Sequence, residues 1–154
     1  MNTCLAAVDF SGITTDVTRF AVLIAGAMKA RLTLLHVVEL PPLREPGSDV
    51  VIHSATVDPP DLNHVRKQLE QIAEPLRANG LRVDTVVAVG NPSAEILRLA
   101  QSSKACMILL GSRGHGIISQ TLFGSVVTSV LKKSPVPVTV VPIHAKQVHA
   151  LQPA

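Results

Sequence analysis

The chain has 154 residues, of which 47% are hydrophobic and 16% charged, and its formal net charge is +3. This length suits one domain with a core that needs neither disulfides nor metals, and the composition excludes disorder for the bulk. Three Phe, no Trp, no Tyr and scattered basic residues speak against a nucleic-acid surface built on base stacking.

The opening residues, MNTCLAAVDF, have neither a basic stretch nor a long apolar run, so no signal peptide is expected. No apolar run approaches the ~18 residues of a membrane span, so no membrane contact is expected and a cytoplasmic location is. TCLAAVD (3–9) reads as a first strand ending at an acid. From Asp16 the period changes to helical, through Val17, Phe20, Ala21, Ile24 and Met28, with Thr14 or Thr15 as the cap. RLTLLHVVEL (31–40) is continuously apolar, as a strand buried on both faces would be. Residues 41–60 are rich in Pro, Gly and Ser and form the longest irregular segment, a length often tied to function.

Leu62, Val65, Leu69, Ile72 and Leu76 mark a second amphipathic helix, ending where Gly80 suits a left-handed cap. LRVDTVVAVG (81–90) is a third strand. Asn91 then caps a third helix with Pro92 at its first position. ACMILLG (105–111) is a fourth strand, SQTLFGSVVTSVLKKS (119–134) a fourth helix, PVPVTVVP (135–142) a fifth strand, and 143–154 a flexible tail.

Strict alternation of strand and helix predicts an α/β fold: a parallel sheet with helices on both faces. Ligands of such sheets bind beyond the carboxyl ends of the strands. Pro135 and Pro137 confine the fifth strand to an edge. Its apolar VTVV needs covering, which a second copy across a two-fold axis would supply. Cys4 and Cys106 each fall five residues before a strand end, at Asp9 and Gly111. They are expected to be free thiols at similar height.

After the fourth strand comes Gly111-x2-Gly114-x9-Gly124-Ser125. Gly114 and Gly116 permit positive φ, and successive N–H groups can then turn inward as an anion nest. Gly124-Ser125 falls near a helix start, where unpaired N–H groups and the helix dipole favour phosphate. A glycine-rich strand–helix loop also occurs without any ligand. The lysine-bearing P-loop motif is absent, and the first strand lacks the dinucleotide fingerprint. Arg113 is either solvated or paired with phosphate, and His115 lies between two glycines. His36 reads as a satisfied interior or crevice histidine. Ser112 and Ser125 have no base placed beside them by any motif.

This glycine spacing, followed by VVTSVLKKSPVPVTVVP, together with AAVDFS, LLHVVE and GNPSAEIL, resembles the universal stress protein family, specifically its ATP-binding branch. The resemblance covers about 3 to 142 and implies one such domain over 1–142. It implies a Rossmann-like five-stranded sheet of order 3-2-1-4-5, of the adenine nucleotide alpha hydrolase-like type, and a homodimer through the edge strand 135–142. It places Asp9 and Val37 at the adenosine end, and Leu110 and Gly111 against base and ribose. Arg113 and Gly114 would open the phosphate loop, and Gly124, Ser125 and Val126 would hold the phosphates. Cys106 stands where the family often has an acid.

The function expected is a nucleotide-dependent regulatory module of the stress response, binding ATP (or ADP or AMP), with Mg2+ only as a companion of the phosphates. An unidentified protein partner would read its state. The alternatives are a slow ATPase or phosphotransfer enzyme, and a nucleotide-free dimeric scaffold. Asp9 is the one obvious carboxylate at a strand end, whereas phosphoryl transfer needs a metal-binding carboxylate and a group to position water. No catalytic or metal-ligating residue is assigned.

Overall fold

A computed structural model of the chain describes residues 2–39, 43–44, 51–52, 61–112 and 123–142. The elements run β1 (Thr3–Ala7), α1 (Thr14–Ala27), β2 (Arg31–Val38), β3 (Leu43–Arg44), β4 (Val51–Ile52), α2 (Leu62–Ala78), β5 (Val83–Val89), α3 (Pro92–Ser102), β6 (Ala105–Gly111), α4 (Ser125–Lys133) and β7 (Val138–Val141). The main sheet has five strands in the order β5-β2-β1-β6-β7, and every pairing within it is parallel. Counting only those strands, the order is 3-2-1-4-5, as expected.

Each face of the sheet has its own aliphatic core. On one, Val17, Ala21 and Ala25 of α1 and Leu69 and Ala73 of α2 pack on Cys4, Ala6, Leu32 and Leu34. On the other, Ile96 and Ala100 of α3 and Val127 and Val130 of α4 pack on Leu5, Leu35, Ile108 and Leu110. The alternation of Leu34 and Leu35 between the two clusters is the period-two geometry of a strand covered on both sides. Leu5, Leu32, Leu34 and Leu35 are fully buried, each side chain contributing about 2 kcal/mol of burial.

Local signals account for most element ends. The Asn91 side chain accepts from the Ala94 N–H at 3.1 Å and from the Ser93 hydroxyl at 2.8 Å, so the expected cap of α3 is in place. Gly80 has φ of +85° and follows α2 as the expected left-handed residue. Among the described residues β7 is an edge strand, and no helix is long and apolar enough to cross a membrane.

Some boundaries differ from expectation. Helix α1 begins at Thr14, with Ile13 in the cap position and no side-chain cap bond. Thr14 and Thr15 are therefore its first residues. The short antiparallel pair β3–β4 lies within 41–60, a segment expected to be irregular. Helix α4 starts at Ser125, six residues later than the expected 119. Residues 119–122 and the tail 143–154 lie outside the described residues.

Candidate functional site

At the carboxyl end of β1, Asp9 organises the turn into α1. Its Oδ1 accepts from the Ser11 N–H at 3.0 Å, the Ser11 hydroxyl at 2.6 Å and the Thr14 hydroxyl at 3.5 Å. The carboxylate thus ties the turn to the Thr14 side chain without capping a backbone N–H of α1. Oδ2 accepts no hydrogen bond among the described residues and remains available to a ligand donor.

Phe10 follows with φ of 61°, a left-handed conformation that costs a bulky residue on the order of 1–2 kcal/mol. Its ring stacks on His36 with centroids 4.1 Å apart. His36 Nδ1 lies 2.8 Å from the Val8 carbonyl. A carbonyl only accepts, so Nδ1 carries the hydrogen. His36 is thus satisfied, and it locks the end of β1 to β2. Phe10 was not singled out in the sequence, because neither residue type nor spacing marks a strained turn.

The end of β6 lies beside this turn. Its parallel register with β1 sets Ala6 opposite Leu109, so two residues further on Val8 and Gly111 adjoin. A Cβ at Gly111 would stand 2.8 Å from Ile13 Cγ2 and 3.1 Å from Cδ1. Gly111 therefore has a structural use: it lets the start of α1 close against β6. Leu110 is buried among the α3–α4 core residues, and Val37 and Val126 are partly buried against the same cluster.

Ser112 and Gly124 draw the glycine segment together at its base. The Ser112 N–H donates to the Val141 carbonyl at 2.7 Å, and the Gly124 N–H donates to the Ser112 carbonyl at 3.1 Å. Ser112 and Gly124, which flank residues 113–123, are thus held together beside the carboxyl ends of β6 and β7. Arg113, Gly114, His115 and Gly116 lie outside the described residues. Gly124 is the cap residue of α4, at φ −68° and ψ 165°, a conformation open to any residue. Among the described residues, a Cβ there would meet only the Ser112 carbonyl oxygen, at 4.0 Å. Neither backbone strain nor packing against the described residues requires glycine at 124.

The first N–H groups of α4, at Ser125, Val126 and Val127, precede the first helical bond, from the Thr128 N–H to the Gly124 carbonyl at 3.0 Å. Ser125 is exposed. The first turn of α4 holds no acid and its last turn holds Lys132 and Lys133, so the positive end of the helix is not neutralised from within. Of the sequence-derived residues, Asp9, Gly111, Gly124 and Ser125 gather at the carboxyl ends of β1 and β6, with Leu110, Val37 and Val126 beneath or beside them. No group of three His, Cys, Asp or Glu among the described residues could hold a metal ion.

The family model described as Universal stress protein family matches residues 1–142. Universal stress protein YxiE of Bacillus subtilis is 29% identical over 154 aligned positions, covering 91% of this chain and 98% of that protein. Universal stress protein MJ0577 of Methanocaldococcus jannaschii is 36% identical over 76 residues; that match spans about half of each, 49% of this chain and 47% of the relative. Among solved structures, a universal stress protein in complex with cAMP superposes with a TM-score of 0.69 at 22% identity, covering 92% of this chain and 97% of the other. The universal stress protein from Archaeoglobus fulgidus in complex with dAMP gives 0.65 at 22% identity, covering 91% and 96%.

Proposed function

The chain belongs to the universal stress protein family, and from that premise we propose that it is an ATP-binding regulatory module, with 1–142 as its one domain. The observation that carries this reading is the N-terminus of α4, whose first three amides precede the first helical bond. Among the described residues, only the Ser112 carbonyl oxygen comes within 4.0 Å of a Cβ built at Gly124, and the amides of Ser125, Val126 and Val127 follow it directly. Helix N-termini of this kind favour phosphate. Two structural relatives were solved with adenine nucleotides, cAMP and dAMP, which supports an adenine base as the other end of the ligand.

In this reading the α4 amides and the Ser125 hydroxyl hold the phosphates, joined by Arg113 and Gly114 of the adjoining loop. Asp9 Oδ2 accepts from a ribose hydroxyl or the adenine amino group. Val37, Leu110 and Gly111 form the apolar wall for base and ribose. Mg2+ would accompany the phosphates only. The protein acts by binding: ATP biases one arrangement of the chain through its differential affinity for two states, and a partner reads the outcome.

Titration calorimetry with ATP on the full chain, beside ion-exchange analysis of nucleotide released by denaturing the purified protein, tests the proposal. Saturable one-site binding or co-purifying adenine nucleotide is expected. A chain that carries none and gives no heat with ATP, ADP or AMP would overturn it.

The exposed edge of β7 supports a homodimer as part of the same reading, since Val138 and Val140 are only partly covered within one chain. Sedimentation equilibrium is expected to return twice the 16.3 kDa chain mass. A single-chain mass at micromolar concentration would contradict it.

A further inference from the structure

Five residues before Asp9 and five before Gly111, at the opposite end of β1 and β6, two sulfur atoms face each other. Thr3 pairs with Ala105 but Cys4 pairs with Met107. Cys106 is therefore the extra residue of a β-bulge, and bulges re-aim side chains. Here the bulge brings Cys106 Sγ to 3.9 Å from Cys4 Sγ. Both thiols are free. The two residues sit on neighbouring strands, one register step apart, and disulfides join Cα atoms about 4.4–6.8 Å apart. The sulfurs need to close by roughly 1.9 Å, from 3.9 Å to a bond of about 2.0 Å, which side-chain rotation can supply.

We infer that Cys4 and Cys106 are a redox modification site, closing reversibly to an intramolecular disulfide when hydrogen peroxide is the oxidant. Exposure orders the two steps. Cys106 is partly exposed and Cys4 has no exposed surface, so Cys106 meets the peroxide first. Its sulfur bonds one peroxide oxygen, the O–O bond breaks and one water leaves, giving a sulfenic acid. The Cys4 sulfur then bonds the Cys106 sulfur. The S–O bond breaks, and the departing hydroxide takes the Cys4 proton as a second water. Two thiols lose two electrons, and one peroxide becomes two waters.

The surroundings favour this product over a metal bis-thiolate. The pair sits against the aliphatic α1–α2 core, where a neutral disulfide is tolerated and a buried anion is not. Burial, and then the neighbouring Cys106, push the Cys4 thiol up to about 11. The closing step therefore quickens as pH rises and the thiolate fraction grows. The inference does not depend on nucleotide binding, because Cys4 and Asp9 are about 16 Å apart along the strand.

Full-length reduced protein exposed to hydrogen peroxide, then denatured, alkylated and weighed by intact mass spectrometry, provides the test. The expected product is a monomer two hydrogens lighter, with no alkylated cysteine, returned to the starting mass by a dithiol. In Cys4→Ser, Cys106 is expected to stop at a sulfenic acid captured by dimedone. In Cys106→Ser, which alters the less buried partner, Cys4 is expected to oxidise at least about tenfold more slowly than the wild-type pair. Two alkylatable thiols after exposure, over-oxidised Cys106 beside an intact Cys4, or covalent dimers would each overturn the inference.

Discussion

Ser125→Glu is expected to leave the fold intact and to weaken ATP binding by roughly 100-fold or more. Ser125 is the first residue of α4 and is exposed, so a longer side chain meets no packing constraint. A carboxylate in the first turn complements the helix dipole and stabilises α4 by a few tenths of a kcal/mol, roughly the size of other charge–dipole effects. The same charge occupies the place proposed for a phosphate. Losing a charge-assisted hydrogen bond costs about 1.5–3 kcal/mol. Like-charge repulsion near the surface adds about 1–4 kcal/mol. Even the lower sum, about 2.5 kcal/mol, is nearly two decades in Kd. Calorimetric titration with ATP beside chemical denaturation checks both halves. Unchanged ATP affinity in a stable variant would move the phosphates away from α4.

The second large effect falls on stability. Gly111→Val is expected to destabilise the chain by about 2–3 kcal/mol, towards the upper end for overpacking. The added Cβ would lie 2.8 Å from Ile13 Cγ2, with Ile13 Cδ1 and Cγ1 at 3.1 and 3.3 Å. Ile13 is itself 8% exposed and belongs to the α1–α2 core, so it has little room to withdraw. The damage is specific to this pair. Ile13→Ala alone opens a cavity costing about 2–4 kcal/mol, but in that background valine at 111 fills part of the space. The double variant is expected to be more stable than the sum of the single changes by roughly 1 kcal/mol or more. Urea denaturation of the four proteins measures this coupling. Strict additivity would show that Gly111 is kept free for something other than Ile13.

The architecture was legible because each strand–helix unit carries its own period. Leu32 to Leu35 are buried in an unbroken run, while Val17, Ala21 and Ala25 recur at helical spacing. Pro135 and Pro137 marked the edge strand, and Asn91 and Gly80 marked helix ends. Features that depend on contacts distant in sequence were not legible. The start of α1 was misplaced because the helix begins at Thr14 with Ile13 at the cap position and no side-chain cap bond, so no capping side chain marks it. The β3–β4 pair has only two residues per strand, too short for any period. The contact of Gly111 with Ile13 joins positions 98 residues apart, so the sequence could mark the glycine but not its neighbour. Counting back from Asp9 and Gly111 placed Cys4 and Cys106 at similar height. Their contact arises from a bulge that counting does not reveal. Within the candidate site, the glycine spacing marked Gly124 and Ser125, and the pinch between Ser112 and Gly124 emerged only in three dimensions.

The most direct measurement is an amide NMR titration of the isotope-labelled full chain with ATP, repeated with inorganic triphosphate. The largest shifts with both ligands are expected on the backbone amides of Gly124, Ser125, Val126 and Val127. ATP alone is expected also to move Asp9, Leu110 and Gly111. Shifts that leave the start of α4 untouched, or no shifts at millimolar ATP, would contradict the claim that this helix terminus is built to hold phosphate.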